Sequence, residues 1–418
     1  MSKGSVIVVG GGVIGVTCAH YLAQDGWAVT VIDRGRIGGA CSHANCGLIC
    51  PSHVLPLTEP GALWSAAGAL LSPNGAFRIK PRLDVSLWRW LLSFARRCNT
   101  RDMLSAARMI APLLSSSMQE YRQLFTDAED ASVCQWQEKG LLFVYESEQA
   151  LHAFEKTNRI LSEQFSEPAK LLDAAATRQL EPALKDTVAG SWFYEHDAHL
   201  RPDRLLHSLR DRLETGGTVF VENCDLLKVS GSHSQARRLE TSQGKMTADQ
   251  FVFCLGAWSP QLESQLGCKI PIQPGKGYSI TTNRPKLCPE IPLIFPEHRV
   301  AVTPMQSSLR LGSIMEFAGY DSSIRAERLQ LLRDGAARYL TEPFGDQEQE
   351  TWFGWRPMTY DSVPIIGRTP RWNNAWLATG HNMLGLTLAP ATGRLVMELL
   401  GDYPTHLDAS CYSVNRFH

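Results

Sequence analysis

The chain has 418 residues, 44% of them hydrophobic and 20% charged, with a net charge of -1. That balance is ordinary for a globular protein and leaves room for two or three domains. It carries no basic run, which argues against a nucleic-acid partner.

In chain order, Val6–Val9 is a continuous apolar run of the kind a buried parallel strand needs. Gly10, Gly12 and Gly15 follow with G-x-G-x-x-G spacing, where strand should turn into helix. The first glycine permits the tight turn. The second lets the backbone approach a pyrophosphate, and the third lets the helix pack close to the strand. Ile14, Cys18, Tyr21 and Leu22 give that helix one apolar face, and Gly26 is its stop. A second strand, from Ala28, ends at Asp33, about 20 residues after the glycines, where an acid can accept ribose hydroxyls. Strand, helix, strand and terminal acid in this order read as a dinucleotide site.

Gly38–Pro51 is rich in small residues, so its backbone amides can run along a flat cofactor. The chain has 11 cysteines without a C-x-x-C pair, and Cys41, Cys46 and Cys50 fit no common zinc spacing. They read as reduced cytosolic thiols. His196 and His199 flank Asp197 and read as a polar loop, so no metal is expected. The first strand begins at once, with no signal peptide before it. Pro60–Phe77 is uncharged, but Pro60, Pro73, Asn74 and its glycines spoil it as a membrane span. The expected location is the cytoplasm.

Helices are expected over Leu83–Arg97, Met103–Phe125, Leu151–Phe165, Pro202–Glu214 and Arg325–Leu340. Strands are expected at Gly140–Tyr145, Gly216–Val221, Leu226–Val229, Arg237–Thr241 and within Asp249–Trp258. From there the texture turns antiparallel, at Lys276–Thr282, Arg299–Pro304 and Leu309–Met315. Ala375–Thr379 is a strand, and the glycines of Gly380–Gly385 precede a helix running to about Leu400. A helix N-terminus there would point its amides at something electron-rich.

These motifs together resemble the D-amino-acid oxidase family of FAD enzymes, and among them the bacterial D-amino acid dehydrogenases. The resemblance runs nearly end to end. It is carried by Gly10–Asp33, by Ser42-x-Ala44-Asn45-x-Gly47, by Lys276-Gly277-Tyr278-Ser279, by Trp355-Arg356-Pro357-Met358-Thr359 with Pro364–Gly367, and by Thr379–Gly385. It implies an α/β fold: a Rossmann-like FAD-binding domain interleaved with an α+β substrate domain whose sheet is mostly antiparallel. The FAD-binding pieces are expected at 1–80, 196–270 and 351–418, and the substrate pieces at 81–195 and 271–350.

The cofactor implied is FAD rather than NAD. Its expected contacts are Gly10, Gly12, Val13, Ile14, Gly15, Asp33 and Arg34 in the fingerprint, and Ser42, Ala44, Asn45, Gly47 and Leu48 in the small-residue stretch. Gly256 and Trp258 are expected in the middle piece. Gly380, His381, Leu384, Gly385, Leu386 and Thr387 are expected at the last helix, whose N-terminus can stabilise negative charge on the flavin. Arg356 matches the family arginine that grips the substrate carboxylate with two parallel bonds. Tyr278 and His381 are the other catalytic candidates: the Tyr278 hydroxyl could reach the carboxylate, or its ring could sit in the sheet core, while His53 reads as a supporting or solvent-facing residue. His43 and Cys41 lie near where some relatives attach FAD covalently, but His43 is off the spacing, so non-covalent FAD is expected.

The implied reaction is oxidative deamination of a D-amino acid to a 2-oxo acid and ammonia, with electrons passed to a quinone-type acceptor. The alternatives are oxidation of a cyclic or N-alkyl amino acid (D-proline, D-hydroxyproline, sarcosine, glycine) and a non-catalytic FAD-carrying subunit, against which Arg356 argues. No Ser-His-Asp nucleophile is evident. Gly61–Leu71 and Leu83–Arg97, with Trp88, Trp90, Leu91, Leu92 and Phe94 beside Arg89, Arg96 and Arg97, suit a peripheral contact with the cytoplasmic face of the inner membrane, or else packing inside the substrate domain or a subunit contact.

Overall fold

The computed structural model describes residues 3–61 and 75–417. Two sheets organise the chain. The first has six strands in the order Ile365–Arg368, Ala375–Thr379, Gln250–Phe253, Ser5–Val9, Ala28–Ile32 and Val219–Val221. All its pairings are parallel except that of Ile365–Arg368 with Ala375–Thr379. Its central strands are apolar on both faces because both are covered. Val6, Val8, Val29 and Val31 pack into the helical layer, while Ile7, Val9 and Ile32 pack into a second core that includes Val229 and Leu239 of the small antiparallel sheet Leu226–Ser232, Gln235–Thr241 and Gly244–Met246.

In the helical layer, Val13–Gln24 crosses Gly385–Leu400 closely. A Cβ on Gly393 would come within 2.8 Å of the Thr17 carbonyl oxygen. Thr100–Leu124 packs against the same helix, and the Tyr121 hydroxyl donates to the Leu386 carbonyl at 2.7 Å. The first and last thirds of the chain are thereby locked together.

The second sheet has nine strands. Glu348–Thr359, Ile272–Asn283, Ser308–Phe317 and Val300–Pro304 form its antiparallel half. Leu293–Phe295, Leu141–Tyr145, Gly190–Tyr194 and Lys170–Asp173 extend it, and Phe77–Ile79 pairs in parallel with Ser308–Phe317. Helix Ala326–Tyr339 covers one face through Leu329, Leu332, Ala336 and Tyr339. The small-residue stretch after Asp33 covers the other: Ser279 donates to the Ala44 carbonyl and Arg310 to the Asn45 carbonyl.

Two expected piece boundaries cut across this sheet. Phe77–Ile79, expected within the 1–80 FAD-binding piece, is a strand of the second sheet, because its partner is Met315–Phe317. Glu348–Thr359 spans the expected 350/351 boundary but bonds along its length to Ile272–Asn283. The expected helix Leu151–Phe165 is two helices, Glu148–Ala153 and Glu155–Phe165.

Helix Val85–Arg97 starts at Asp84, whose carboxylate accepts from the Ser86 and Leu87 amides. Leu87 and Trp90 are buried, the Trp90 indole donates to the Met358 carbonyl, and Phe94 stacks on Trp90. Trp90 is therefore internal and Phe94 partly so. Val85, Trp88, Arg89, Leu92 and Arg96 remain exposed on the opposite face. Most of Gly61–Leu71 lies outside the described residues. No helix among the described residues is long and apolar enough to cross a membrane.

Candidate active site

Gly10 has φ +110 and Gly15 lies against it: a Cβ on Gly15 would overlap the Gly10 carbonyl oxygen, and a Cβ on Gly10 the Cys254 carbonyl. Only glycine closes this turn. Gly12 differs, since a Cβ there would meet nothing nearer than Ser42 Oγ at 3.5 Å. Gly12 is the cap of helix Val13–Gln24, with no side-chain cap and no acid in the first turn. Ser42 Oγ accepts from the Val13 amide at 3.0 Å. Asp33 joins the turn to the second strand: one carboxylate oxygen accepts from Gly11 and the other from Gly35, each at 2.7 Å. Each oxygen keeps a lone pair for a further donor. Beside it, the Arg34 guanidinium sits 5.0 Å from the Trp258 ring centroid, and the position of a Cβ on Gly256 is open space.

The small-residue stretch is held by its own chemistry. Asn45 Oδ1 accepts from Gly47, whose φ is +71. Ala44 is buried. The Thr387 hydroxyl donates to the Leu48 carbonyl and accepts from the Cys50 amide, which ties this stretch to the first turn of helix Gly385–Leu400. That helix has Leu384 at its cap position, no side-chain cap and no acid in its first turn. Helices Val85–Arg97, Thr100–Leu124, Ala128–Cys134 and Ala174–Leu180, by contrast, are capped by Asp84, Asn99, Asp127 and Asp173. Helices Glu155–Phe165, Pro202–Thr215 and Ala326–Tyr339 also lack a side-chain cap but carry an acid in the first turn; Val13–Gln24 and Gly385–Leu400 have neither, which leaves their N-termini able to stabilise an anionic or electron-rich group.

Between Gly380 and Leu384, His381 is buried with Nε2 3.0 Å from Thr392 Oγ1, and burial pushes its pKa down to about 3. It is a neutral ring engaged with its own helix. Asn382, at φ +53, stitches the loop to the neighbouring strand. Its Oδ1 accepts from the Thr359 amide and its Nδ2 donates to the Gly380 carbonyl. The sequence reading missed Asn382, because its partner lies 23 residues away; an asparagine inside a glycine-rich turn was the available signal.

Arg356 projects from Glu348–Thr359 onto the face where Gly275, Gly277 and Gly354 leave room. A Cβ on Gly277 would overlap the guanidinium. Nη1 donates to the Ile314 carbonyl at 2.7 Å and Nη2 to the Ser313 carbonyl at 3.4 Å. No carboxylate of the described residues pairs with it. It lies deep, with desolvation holding its pKa below the usual arginine value, yet it keeps accessible surface, so it faces an internal space. Cys41, Cys46 and His53 share that combination of depth and residual accessibility.

Tyr278 does not join Arg356. Successive strand residues face opposite ways, and Gly277 faces the guanidinium. The Tyr278 hydroxyl instead donates to Glu316 Oε2 at 2.7 Å within the core under helix Ala326–Tyr339. The carboxylate-binding expectation for Tyr278 is corrected on that ground. His53 is not solvent-facing either: it lies against the edge of Phe143, and Ser52 links it to the buried Asp197. A Ser-His-Asp group is therefore present, although its order is not that of a nucleophile, since the serine stands between the other two. His196 is exposed while Asp197 and His199 are buried, so the two histidines do not converge. His43 Nε2 lies 2.7 Å from Glu350.

Comparison with known proteins identifies the family. The sequence model of the family described as DAO, FAD dependent oxidoreductase, matches residues 5–399. The D-amino acid dehydrogenase of Bradyrhizobium diazoefficiens is 32% identical over 422 residues, covering 99% of this chain and 98% of that protein. That of Rhodopseudomonas palustris is 33% identical over 435 residues, covering 99% and 97%. Among solved structures, glycine oxidase from Geobacillus kaustophilus superimposes with a TM-score of 0.77 at 21% identity, covering 100% of this chain and 99% of that one. L-proline dehydrogenase from P. horikoshii gives 0.74 at 20%, covering 100% and 98%. The chain's residues fit FAD: a glycine turn where a Cβ would overlap backbone, an acid at the end of the second strand and two uncapped helix N-termini.

Proposed function

The chain belongs to the DAO family of FAD-dependent oxidoreductases, and on that premise we propose that it is a D-amino acid dehydrogenase that deaminates its substrate oxidatively and passes electrons to a quinone-type acceptor. Arg356 carries the reading. A deep guanidinium bonded to two backbone carbonyls and a methionine sulfur, on a glycine-lined face and without a carboxylate among the described residues, is a site that lacks its counter-charge. An amino acid's carboxylate supplies it with bidentate geometry, which fixes one face of Cα. The full-length relatives named D-amino acid dehydrogenase support the substrate class.

In this reading Gly10, Gly12, Val13, Ile14 and Gly15 hold the FAD pyrophosphate, and Asp33 the adenosine ribose. Ser42, Ala44, Asn45, Gly47 and Leu48 run along the cofactor, Arg34, Gly256 and Trp258 border its adenosine end, and Gly380, Leu384, Gly385, Leu386 and Thr387 close over its far end. His381 supports that closure from behind. FAD supplies the hydride acceptor. The chain holds the carboxylate on Arg356, orients Cα, and excludes bulk water with the stretch after Asp33. FAD is held without a covalent bond, so acid precipitation should release the colour to the supernatant; colour that stays with the pellet would point to Cys41 or His43.

The acceptor reading rests on the exposed face of Val85–Arg97. Trp88 is 46% and Leu92 53% exposed, with Arg89 and Arg96 beside them. Apolar groups flanked by arginines suit a lipid interface that a quinone shares. The decisive experiment is a panel of D- and L-amino acids, cyclic and N-methyl ones included, assayed with a quinone analogue and with oxygen. D-amino acids should be oxidised with the quinone much faster than with oxygen. Preference for cyclic or N-alkyl substrates, or rapid peroxide formation, would replace the reading. Trp88→Ser should reduce co-sedimentation with anionic liposomes and leave dye-linked turnover intact.

A further inference from the structure

We propose that His53, held by Ser52 and Asp197, takes the proton that an amino acid must shed from its ammonium group before its Cα hydrogen can leave as hydride. The inference rests on the amino acid-oxidising reading above.

Topology assembles the group. Leu48–Ile49 pairs with Ala198–His199, which brings Ser52 against Asp197, 145 residues along the chain. Asp197 is 1% exposed. Its Oδ1 accepts from the Ser52 amide at 3.2 Å and its Oδ2 from the Ser52 hydroxyl at 2.5 Å. The single hydroxyl hydrogen is thus spent on the carboxylate, so toward His53 the Ser52 oxygen can only accept. Nδ1 of His53 lies 3.3 Å from that oxygen. The network therefore assigns the ring proton to Nδ1 and leaves the lone pair on Nε2. Among the described residues Nε2 has no bonding partner, and it is not one of the sealed, unsatisfied buried atoms. The ring lies deep but keeps accessible surface, so Nε2 opens on the internal space. Cys50 neighbours Asp197, and four residues earlier Cys46 Sγ lies against Gly312, next to Ser313, whose carbonyl accepts from Arg356. This places the group in the stretch that covers the carboxylate site.

The electrostatics allow traffic in both directions. Around Asp197 lie Glu167, Tyr194, the Cys50 thiol and Ser52. Desolvation, with Glu167 adding, outweighs the hydrogen bonds and pushes the carboxyl up to about 7. His53 meets the edge of Phe143, and burial pushes it down to about 4, so it rests neutral. In the step, an N–H bond of the ammonium breaks and an N–H bond forms at Nε2. The Nδ1 proton passes to Ser52 Oγ while the serine's own proton passes to Asp197 Oδ2. Ammonium and carboxylate become amine and carboxylic acid. No charge is separated, and no redox partner is involved. A buried anion is neutralised, which favours the transfer, and the chained bonds polarise one another.

The test compares wild type, His53→Gln, His53→Ala and Asp197→Asn as flavin-loaded enzymes. It measures anaerobic flavin reduction by the best D-amino acid of the panel across pH, with flavin content read from absorbance. His53→Gln should be about 100-fold slower at pH 7.5. The deficit should shrink to within about threefold near pH 10, where an alkyl ammonium begins to lose its proton unaided. Imidazole should restore part of the His53→Ala rate, and Asp197→Asn should remove the acidic limb near pH 7. A deficit equal at every pH without imidazole rescue, or no deficit, overturns the relay while the function stands. A wild-type enzyme whose flavin no amino acid reduces overturns both.

Discussion

On one face of the strand pair Ile272–Asn283 and Glu348–Thr359, Arg356 lies among glycines and bonds two backbone carbonyls and the Met315 sulfur, with no carboxylate among the described residues. On the other, Glu316 is 1% exposed and meets the Tyr278 hydroxyl, Arg78 at 3.3 Å and Arg328 at 3.7 Å. Both faces carry deep charge, but Arg356 has no carboxylate partner among the described residues, while Arg310 beside it reaches Glu350 at 4.0 Å and Glu316 meets two arginines. A buried ion beside its partner is accounted for by the fold. A buried ion kept without one costs stability until something with the opposite charge arrives. By that criterion Arg328 is held by the fold's own charge, and Arg356 is left open to a ligand's.

The sharpest way to break this contrast is Arg356→Ala. Loss of charge-assisted bonds worth about 1.5–3 kcal/mol should lower kcat/KM about 10- to 150-fold with the flavin spectrum unchanged. Arg356→Lys should recover only part, because an ammonium lacks the planar fork. Normal kcat/KM in the alanine variant would show that Arg356 is as structural as Arg328.

A smaller effect is expected from Gly277→Ala. Its φ is ordinary, so the backbone accepts alanine, but the new methyl would occupy the space of the guanidinium. Displaced Arg356 should raise KM about 10-fold, within the loss that a 1 Å misplacement can cause. Unchanged KM would mean that the guanidinium has slack and that the glycine face is not what positions it.

How far the sequence showed this depends on distance along the chain. Gly10, Gly15 and Asp33 were legible because turn, helix and strand follow within one short unit. Arg356 was legible through the motif around it. Tyr278 was misplaced because the motif was read as a string; counting alternation from Gly275 and Gly277 puts it on the opposite face. Ser52 with Asp197 and Asn382 with Thr359 were invisible, since the pairings that join them depend on sheet registers that no local pattern states. Helix Val85–Arg97 was visible as a helix, but which tryptophan it buries depended on the Met358 carbonyl waiting across the fold.

The smallest effect on activity should come from Tyr278→Phe, and it tests the contrast from its quiet side. The substitution keeps the ring in its core and removes one donor to Glu316, which retains Arg78 and Arg328. Stability should fall by about 1.5–3 kcal/mol, the net worth of one hydrogen bond to a charged group, read as a lower urea midpoint with unchanged slope. Steady-state kcat and KM for amino acids should match wild type. If Tyr278 reached the substrate carboxylate, the opposite pattern would appear: intact stability and a KM that rises with loss of the hydroxyl. That result would mean the strand presents residue 278 to the Arg356 side when substrate is bound, and the two faces would no longer be separate environments.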